Sequence, residues 1–216
     1  MKQSGERCGK NRVARLMKES CIRSKAAKRF RRAYESKHRE GIQANVLNRQ
    51  FKVSTPNSVW VSDITMIPTK AGYLHLATVM DLYSRRIVGY AMSSTMTTVL
   101  IKDALQMALD QRKRKGSLLL HSDQGSQYRS SEYQNMLKEN NIIASMSRKG
   151  ECHDNAVMES FYHTLKTELV YHERYNSHKE AKASLFDYIE IFYNRQRSHS
   201  ALGYQSPFDY ERINQS

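Results

Sequence analysis

Asp63, Asp123 and Glu159 are the residues whose types and placement could do chemistry. Asp63 lies inside an apolar, β-branched run, "SVWVSDITMI", and Asp123 follows three leucines in "SLLLHSDQGSQY". Glu159 lies in "DNAVMESFYHTLKTELV". A carboxylate inside a strand is costly unless it is paired or bound to a metal. Each acid alone has an ordinary explanation. Asp123 can cap a turn with Gly125, Asp63 can pair with a Lys or Arg, and Glu159 can be a solvated helix residue. Brought together at one sheet edge, three carboxylates suit Mg2+ or Mn2+, hard ions that prefer oxygen ligands. Two such ions about 3.5–4 Å apart clamp the attacking and leaving oxygens of a phosphodiester displacement.

The elements that must position these acids follow from the hydrophobic pattern. "SVWVSDITMI" reads as a first strand; "YLHLATVMD" and "RIVGYAMS", joined by "LYSRR", read as an antiparallel pair. A helix is expected from about Thr97 to Lys115, with Ile101, Ala104, Leu105 and Ala108 on one face and Gly116 closing it. "SLLLHS" is the continuous apolar run of a strand covered on both faces. "SSEYQNMLKENN" reads as a helix and "IIASMS" as a fifth strand. In the long helix that follows, Val157, Met158, Phe161, Leu165 and Leu169 share one side, and Glu159 lies nearly opposite with Asn155, His163 and Lys166. A capping box, Ser177 to Glu180, opens a last helix with Ala181, Leu185, Tyr188, Ile189 and Phe192 inward. Strands and helices in this order describe an α/β sandwich. Asp81 ends the second strand and is the reserve carboxylate, in a context that also suits a turn. His121 is open between a supporting group, a DNA contact and a polar strand end.

The net charge of +14 is uneven: residues 1–50 hold 15 Lys and Arg against 4 Asp and Glu. "NRVARLMKES" predicts a short basic helix presenting Arg12, Arg15 and Lys18, and "SKAAKRFRRAYESKHRE" continues with helix formers. A concentrated cationic segment favours a polyanion, most often nucleic acid. Residues 1–40 are therefore expected to be a basic helical DNA-binding segment, 41–57 a linker and 58–212 the core. A hydrophobic content of 39%, with no apolar run of bilayer length, argues against a membrane protein. "MKQSGERCGK" lacks an apolar leader, and Cys8, Cys21 and Cys152 read as free thiols without zinc-ligand spacing. A cytoplasmic, nucleoid-associated location is expected.

"VWVSDITMIPT", "HSDQGSQY", "SMSRKGECHDNAVMESFYHTLKTEL" and "RSHSALGYQSPFDYE" closely resemble the integrase core of bacterial insertion-sequence transposases of the OrfB, second-reading-frame type. The family pattern places 35 residues between its second Asp and its Glu, and residues 124 to 158 intervene here. The resemblance implies a ribonuclease-H-like fold related to retroviral integrases, a mixed five-stranded sheet flanked by helices with a short basic N-terminal segment. It implies a DDE polynucleotidyl transferase. Asp63, Asp123 and Glu159 would hold two Mg2+ or Mn2+ ions, one activating water or a DNA 3′-hydroxyl, the other stabilising the leaving oxygen. Lys166 would face DNA from the helical stripe of Glu159, Arg148 and Lys149 would meet phosphates from a loop, and Asn155 would touch DNA or cap the helix. "GKNRVARLMKESCIRS" resembles the last part of a helix-turn-helix-like region. Implied partners are element terminal inverted repeats, target DNA, further copies of the chain and a first-frame helix-turn-helix subunit. The alternative is a truncated, non-catalytic DNA-binding remnant that regulates transposition.

Overall fold

The computed structural model describes residues 9–20, 22, 41–114 and 116–214. It divides into two bodies, residues 1–33 and residues 34–216. In the first, helix α1 (Lys10–Glu19) carries Arg12, Arg15 and Lys18 exposed, with Arg15 Nε 3.6 Å from Glu19 one turn on. Lys18 in the last turn complements the negative end of the helix. The basic run 24–40 lies outside the described residues.

The second body is built on five strands: β1 (Val59–Thr69), β2 (Gly72–Asp81), β3 (Ile87–Ser93), β4 (Leu118–Ser122) and β5 (Ile142–Met146). The order across the sheet is β3-β2-β1-β4-β5. β1, β2 and β3 are antiparallel neighbours, whereas β1–β4 and β4–β5 run parallel. Parallel neighbours need crossovers. Helix α2 (Thr98–Gln111) joins β3 to β4, and the short α3 (Ser126–Arg129) with α4 (Ser131–Glu139) joins β4 to β5.

Side chains alternate across the sheet, and both faces are covered. Trp60, Ala77, Val79, Leu118 and Leu120 pack against Leu100, Ile101, Leu105, Tyr133 and Leu137 of α2 and α4. Val61, Leu74, Leu76 and Met80 pack on the other face against α5 (Ala156–Glu168) and α6 (His178–Phe186) through Phe161, Leu165 and Leu185, with Ile189 just beyond α6. Gly89 of β3 lies so close under α2 that a Cβ there would collide with the Ala104 carbonyl and reach 2.7 Å from Ala108 N.

Four features differ from the sequence reading. α2 stops at Gln111, not near Lys115, because Arg112 turns extended and carries its guanidinium to Asp81 and Glu211. Gly116 therefore does not close the helix. After α6 the chain continues as a π-helical run, Asp187–Tyr193, whose hydrogen bonds reach five residues back. The wider turn advances the inward position by one: Phe192 is 40% exposed, while Tyr193 is 1% exposed. At the start of α6, Ser177 accepts from Glu180 N, but Glu180 Oε2 reaches back to Asn176 N at 2.7 Å. Residues 41–57 form neither helix nor strand, yet part of them is fastened to the sheet. Leu47 is buried in the core and Met146 N donates to Ala44 O at 3.3 Å.

The chain end is latched by helix α7 (Pro207–Asn214) and by an aromatic corner around Tyr193. Tyr193 stands edge-on to Phe161, and its hydroxyl lies 3.1 Å from His199 Nε2. Burial, with the charges of Arg197 and Arg85, pushes His199 down to about 4, against the opposing charge of Glu168. The folded state therefore favours neutral His199. Its contribution is intact above the ordinary value near 6.5 and is lost as pH falls toward 4. Over pH 6.5 to 5 this amounts to at most about 2 kcal/mol. His199→Gln should remove that share, so its melting temperature should fall less between pH 7.5 and 5 than that of wild type, by scanning calorimetry.

Candidate active site

β1 and β4 set two of the three carboxylates side by side. Their parallel register pairs Val61 with His121. Carried two residues further, it sets Asp63 beside Asp123. Alternation from Val61 and from Leu119, which join the α5-side core, turns both acids toward α5. Asp123 sits just past the end of β4, where its Oδ1 accepts from Gly125 N at 2.8 Å. The turn-capping and site readings of Asp123 are thus compatible.

α5 is fixed against β1 at Asp63 itself. The Tyr162 hydroxyl donates to the Asp63 carbonyl at 2.5 Å and lies 2.8 Å from Thr78 Oγ1. Tyr162 follows Glu159 by three residues, so this bond brings the first turn of α5, and Glu159 with it, to the same end of the sheet. From the other face, the Tyr128 hydroxyl lies 2.9 Å from Ser62 Oγ. Two buried phenols thus support β1 at the acid.

The electrostatics report the convergence. Burial raises the Asp63 carboxyl well above the usual range, and the charges of Asp123 and Glu159 push it further. Ile64 N–H, 2.7 Å from Asp63 Oδ1, and the cation of Lys166 oppose the shift. Burial also raises Asp123, against its Gly125 bond and the charge of Arg129. Lys166 is pushed down by burial and held up by Asp63.

Among the described residues, no three Asp, Glu, His or Cys side chains are drawn close enough to hold an ion as they stand. Glu159 is exposed while both aspartates are half-buried. The donor set nonetheless fits a divalent cation. All three side chains offer hard anionic oxygens, and a cation relieves the repulsion that raises Asp63.

The other expected site residues divide. Lys166 lies beside Asp63, and Lys149 is exposed on the loop before α5. Asn155 is 5% exposed and its Nδ2 points to the Ser62 carbonyl at 3.4 Å. It does not cap α5 with its side chain, which faces β1 instead. Arg148 is exposed but grips Asp154 through Nε at 2.9 Å and Nη2 at 2.8 Å, so its charge is already committed. Arg12, Arg15 and Lys18 belong to the separate N-terminal body. His121 is buried between Ser145 and Ser147, which excludes the DNA-contact reading, and burial pushes it down to about 4. Asp81, the reserve carboxylate, accepts from Asn57 N, Tyr83 N and Arg112 and is committed to that turn. The sequence reading missed Tyr128, Tyr162 and Asp154. The only signal for Tyr162 was its place beside the apolar stripe of α5.

Comparison with known proteins bears on the family and the fold. Two integrase core domain families match the chain, one over residues 53–152 and the other over residues 159–215. The transposase of insertion sequence IS904 from Lactococcus lactis is 43% identical over 94% of this chain and 80% of its own length. Transposase InsF of insertion sequence IS3A from Escherichia coli is 44% identical over 94% of this chain and 70% of its own. Among solved structures, a chain of the simian T-cell lymphotropic virus intasome in complex with PP2A regulatory subunit B56 gamma superposes with a TM-score of 0.62 at 16% identity. That match covers 84% of this chain and 61% of the other. The catalytic core domain of BIV integrase gives 0.54 at 17% identity, over 74% and 96%. The fold is that of the ribonuclease-H-like integrase cores. These matches lead to one conclusion: the chain belongs to the insertion-sequence transposases with an integrase core domain.

Proposed function

We propose that this chain cuts DNA at the ends of an insertion sequence and joins the freed 3′-hydroxyl to DNA by direct phosphodiester displacement. The observation that carries the reading is the juxtaposition of Asp63 and Asp123 under the helix of Glu159, with charges that raise Asp63. These three residues would hold the divalent ions, two Mg2+ or Mn2+ per site. When bound, such ions supply activation of the attacking oxygen and charge stabilisation of the leaving oxygen. Tyr162 and Tyr128 keep β1 in place beneath the acids, and no covalent protein intermediate is required. Lys166 draws the phosphate toward Asp63, and Lys149 meets the DNA backbone from the loop. Arg12, Arg15 and Lys18 of α1 supply further phosphate contacts. The substrates would be the element's terminal inverted repeats and target DNA. Further copies of the chain and a first-frame subunit would complete the assembly. Among the described residues no helix is long and apolar enough to cross a membrane, in keeping with work at the nucleoid.

The test is incubation of the purified chain with labelled terminal-repeat DNA and Mn2+, beside Asp123→Ala. Nicked and joined products with wild type alone are expected. Binding without products would instead favour a non-catalytic remnant. The basic segment carries its own expectation. Affinity should fall about 10³-fold between 50 and 200 mM salt, as for six or more phosphate contacts. Deleting residues 1–40 should flatten the salt dependence, and an unchanged slope by fluorescence anisotropy would remove that segment from the interface.

A further inference from the structure

The strap ahead of β1 fastens directly to the segment that leads into the helix of Glu159 and, through Ser145 of β5 and His121, indirectly to the strand that leads to Asp123. At its first attachment, Ser145 Oγ accepts from Val46 N at 2.9 Å and Leu47 N at 3.1 Å and lies 2.8 Å from His121 Nδ1. Two acceptances fill the hydroxyl's lone pairs, so its proton goes to Nδ1. His121 then carries its own proton on Nε2, facing Ser147 Oγ at 3.1 Å, and Ser147 Oγ donates to Ser122 O at 3.3 Å. This chain of bonds ends beside Asp123.

At the second attachment stands Asp154, in the turn that opens α5, with a side chain 0% exposed. Its Oδ1 accepts from Arg49 Nε at 2.6 Å and Arg148 Nη2 at 2.8 Å. Its Oδ2 accepts from Asn45 Nδ2 at 2.8 Å and from Arg148 N and Nε at 2.9 Å. Arg49 also reaches Glu151 Oε2 at 2.5 Å. One carboxylate thus gathers donors from the strap and from the loop before the catalytic helix. That loop has few bonds of its own: Glu151 N to Arg148 O at 3.2 Å and Asp154 N to Glu151 O at 3.0 Å. The formal charges of Arg49, Arg148, Asp154 and Glu151 cancel. The cluster is therefore poorly suited to drawing a phosphate and well suited to holding two segments together.

We infer that Gln43–Arg49 is a brace that sets the approach of Glu159 to Asp123, with Asp154 as the positioning residue and Arg49 as the arm that reaches it. The inference rests on reading those two carboxylates as catalytic. Asp154 touches neither DNA nor metal in this role; it acts through the loop that leads into α5.

The test compares Arg49→Met and Asp154→Asn with wild type and with Arg212→Met, an exposed arginine far along the chain, in the whole protein. Mn2+ affinity is read by titration calorimetry, and amide exchange is read over residues 148–158. Both brace variants should bind Mn2+ about tenfold more weakly, as when groups behind metal ligands are lost. Exchange in the loop should rise by a similar factor, about tenfold, through local opening. Arg212→Met should match wild type, and Arg49→Met, at a half-exposed site, should melt close to it. Should Asp154→Asn unfold, Arg49→Met decides alone. Mn2+ affinity and loop exchange in Arg49→Met within about twofold of wild type would overturn the brace. If wild type takes up no Mn2+, the proposed function fails, while the exchange comparison still decides the brace.

Discussion

Asp63→Asn should lose DNA cleavage by about 10²–10³-fold or more while gaining stability. Asp63 is held in a crowded site where burial and the neighbouring charges of Asp123 and Glu159 oppose ionisation. A carboxyl raised in the folded state weakens the fold wherever it must stay ionised. Asparagine keeps the shape and can keep the 2.7 Å bond from Ile64 N, but it removes the repelling charge. It also removes an anionic oxygen from the set that would hold the ions. Each kcal/mol of relieved repulsion should raise the melting temperature by about 2–4 °C in a protein of this size. Gel assays of nicking and scanning calorimetry check the two halves, and DNA affinity should change little. A variant that lost activity and also melted earlier would mean that Asp63 serves the fold, not the site. This opposition between stability and activity is expected where a protein stores unfavourable charge for chemistry.

Arg112→Met should be the most destabilising single change outside the apolar core. Arg112 leaves the end of α2 to bind Asp81 Oδ2 at 3.3 Å and Glu211 through both of its carboxylate oxygens. Asp81 and Glu211 are buried; Arg86 Nη1 at 2.8 Å and Ser84 Oγ at 2.7 Å complete the cluster on Glu211. The group ties α7, the β2–β3 turn and α2 together. Removing one partner from a buried ion cluster leaves uncompensated charge and costs about 3–5 kcal/mol. At about 2–4 °C per kcal/mol the melting temperature should fall by roughly 6–20 °C. The sign of the pH dependence gives a second check. Without Arg112, Asp81, already raised by burial, loses an opposing charge, and Glu211 keeps Ser84 and Arg86 but loses the strongest of the groups that lower it. The folded variant then binds more protons than the unfolded chain, so its stability deficit should narrow as pH falls from 7 to 5.

Two acids of the candidate site stand out in the sequence because they interrupt apolar runs. Asp63 inside "VWVSDITMI" and Asp123 after three leucines stand out against their neighbours, and strand alternation then turns both toward α5. The strands were legible for a related reason: a sheet covered on both faces demands short, nearly continuous apolar runs. What stayed hidden depends on contacts far apart in the chain. Asp154 gives no local signal, because Asn45 and Arg49 lie 109 and 105 residues away from it. Residues 41–57 read as a linker because their bonds go to other elements and leave no periodicity. Helical spacing placed Phe192 inward because it assumes an α-helical turn, and the π-helical run moved that role to Tyr193. α2 ends early for a tertiary reason, the pull of Asp81 and Glu211 on Arg112.

Anomalous diffraction at the manganese edge, from crystals of the chain with terminal-repeat DNA and Mn2+, addresses the central claim with least inference. Manganese peaks coordinated jointly by Asp63 and Asp123, with Glu159 turned in to meet them beside a DNA phosphate, are the predicted result. Peaks elsewhere, or aspartate oxygens too far apart to share an ion while DNA is seated, would contradict it.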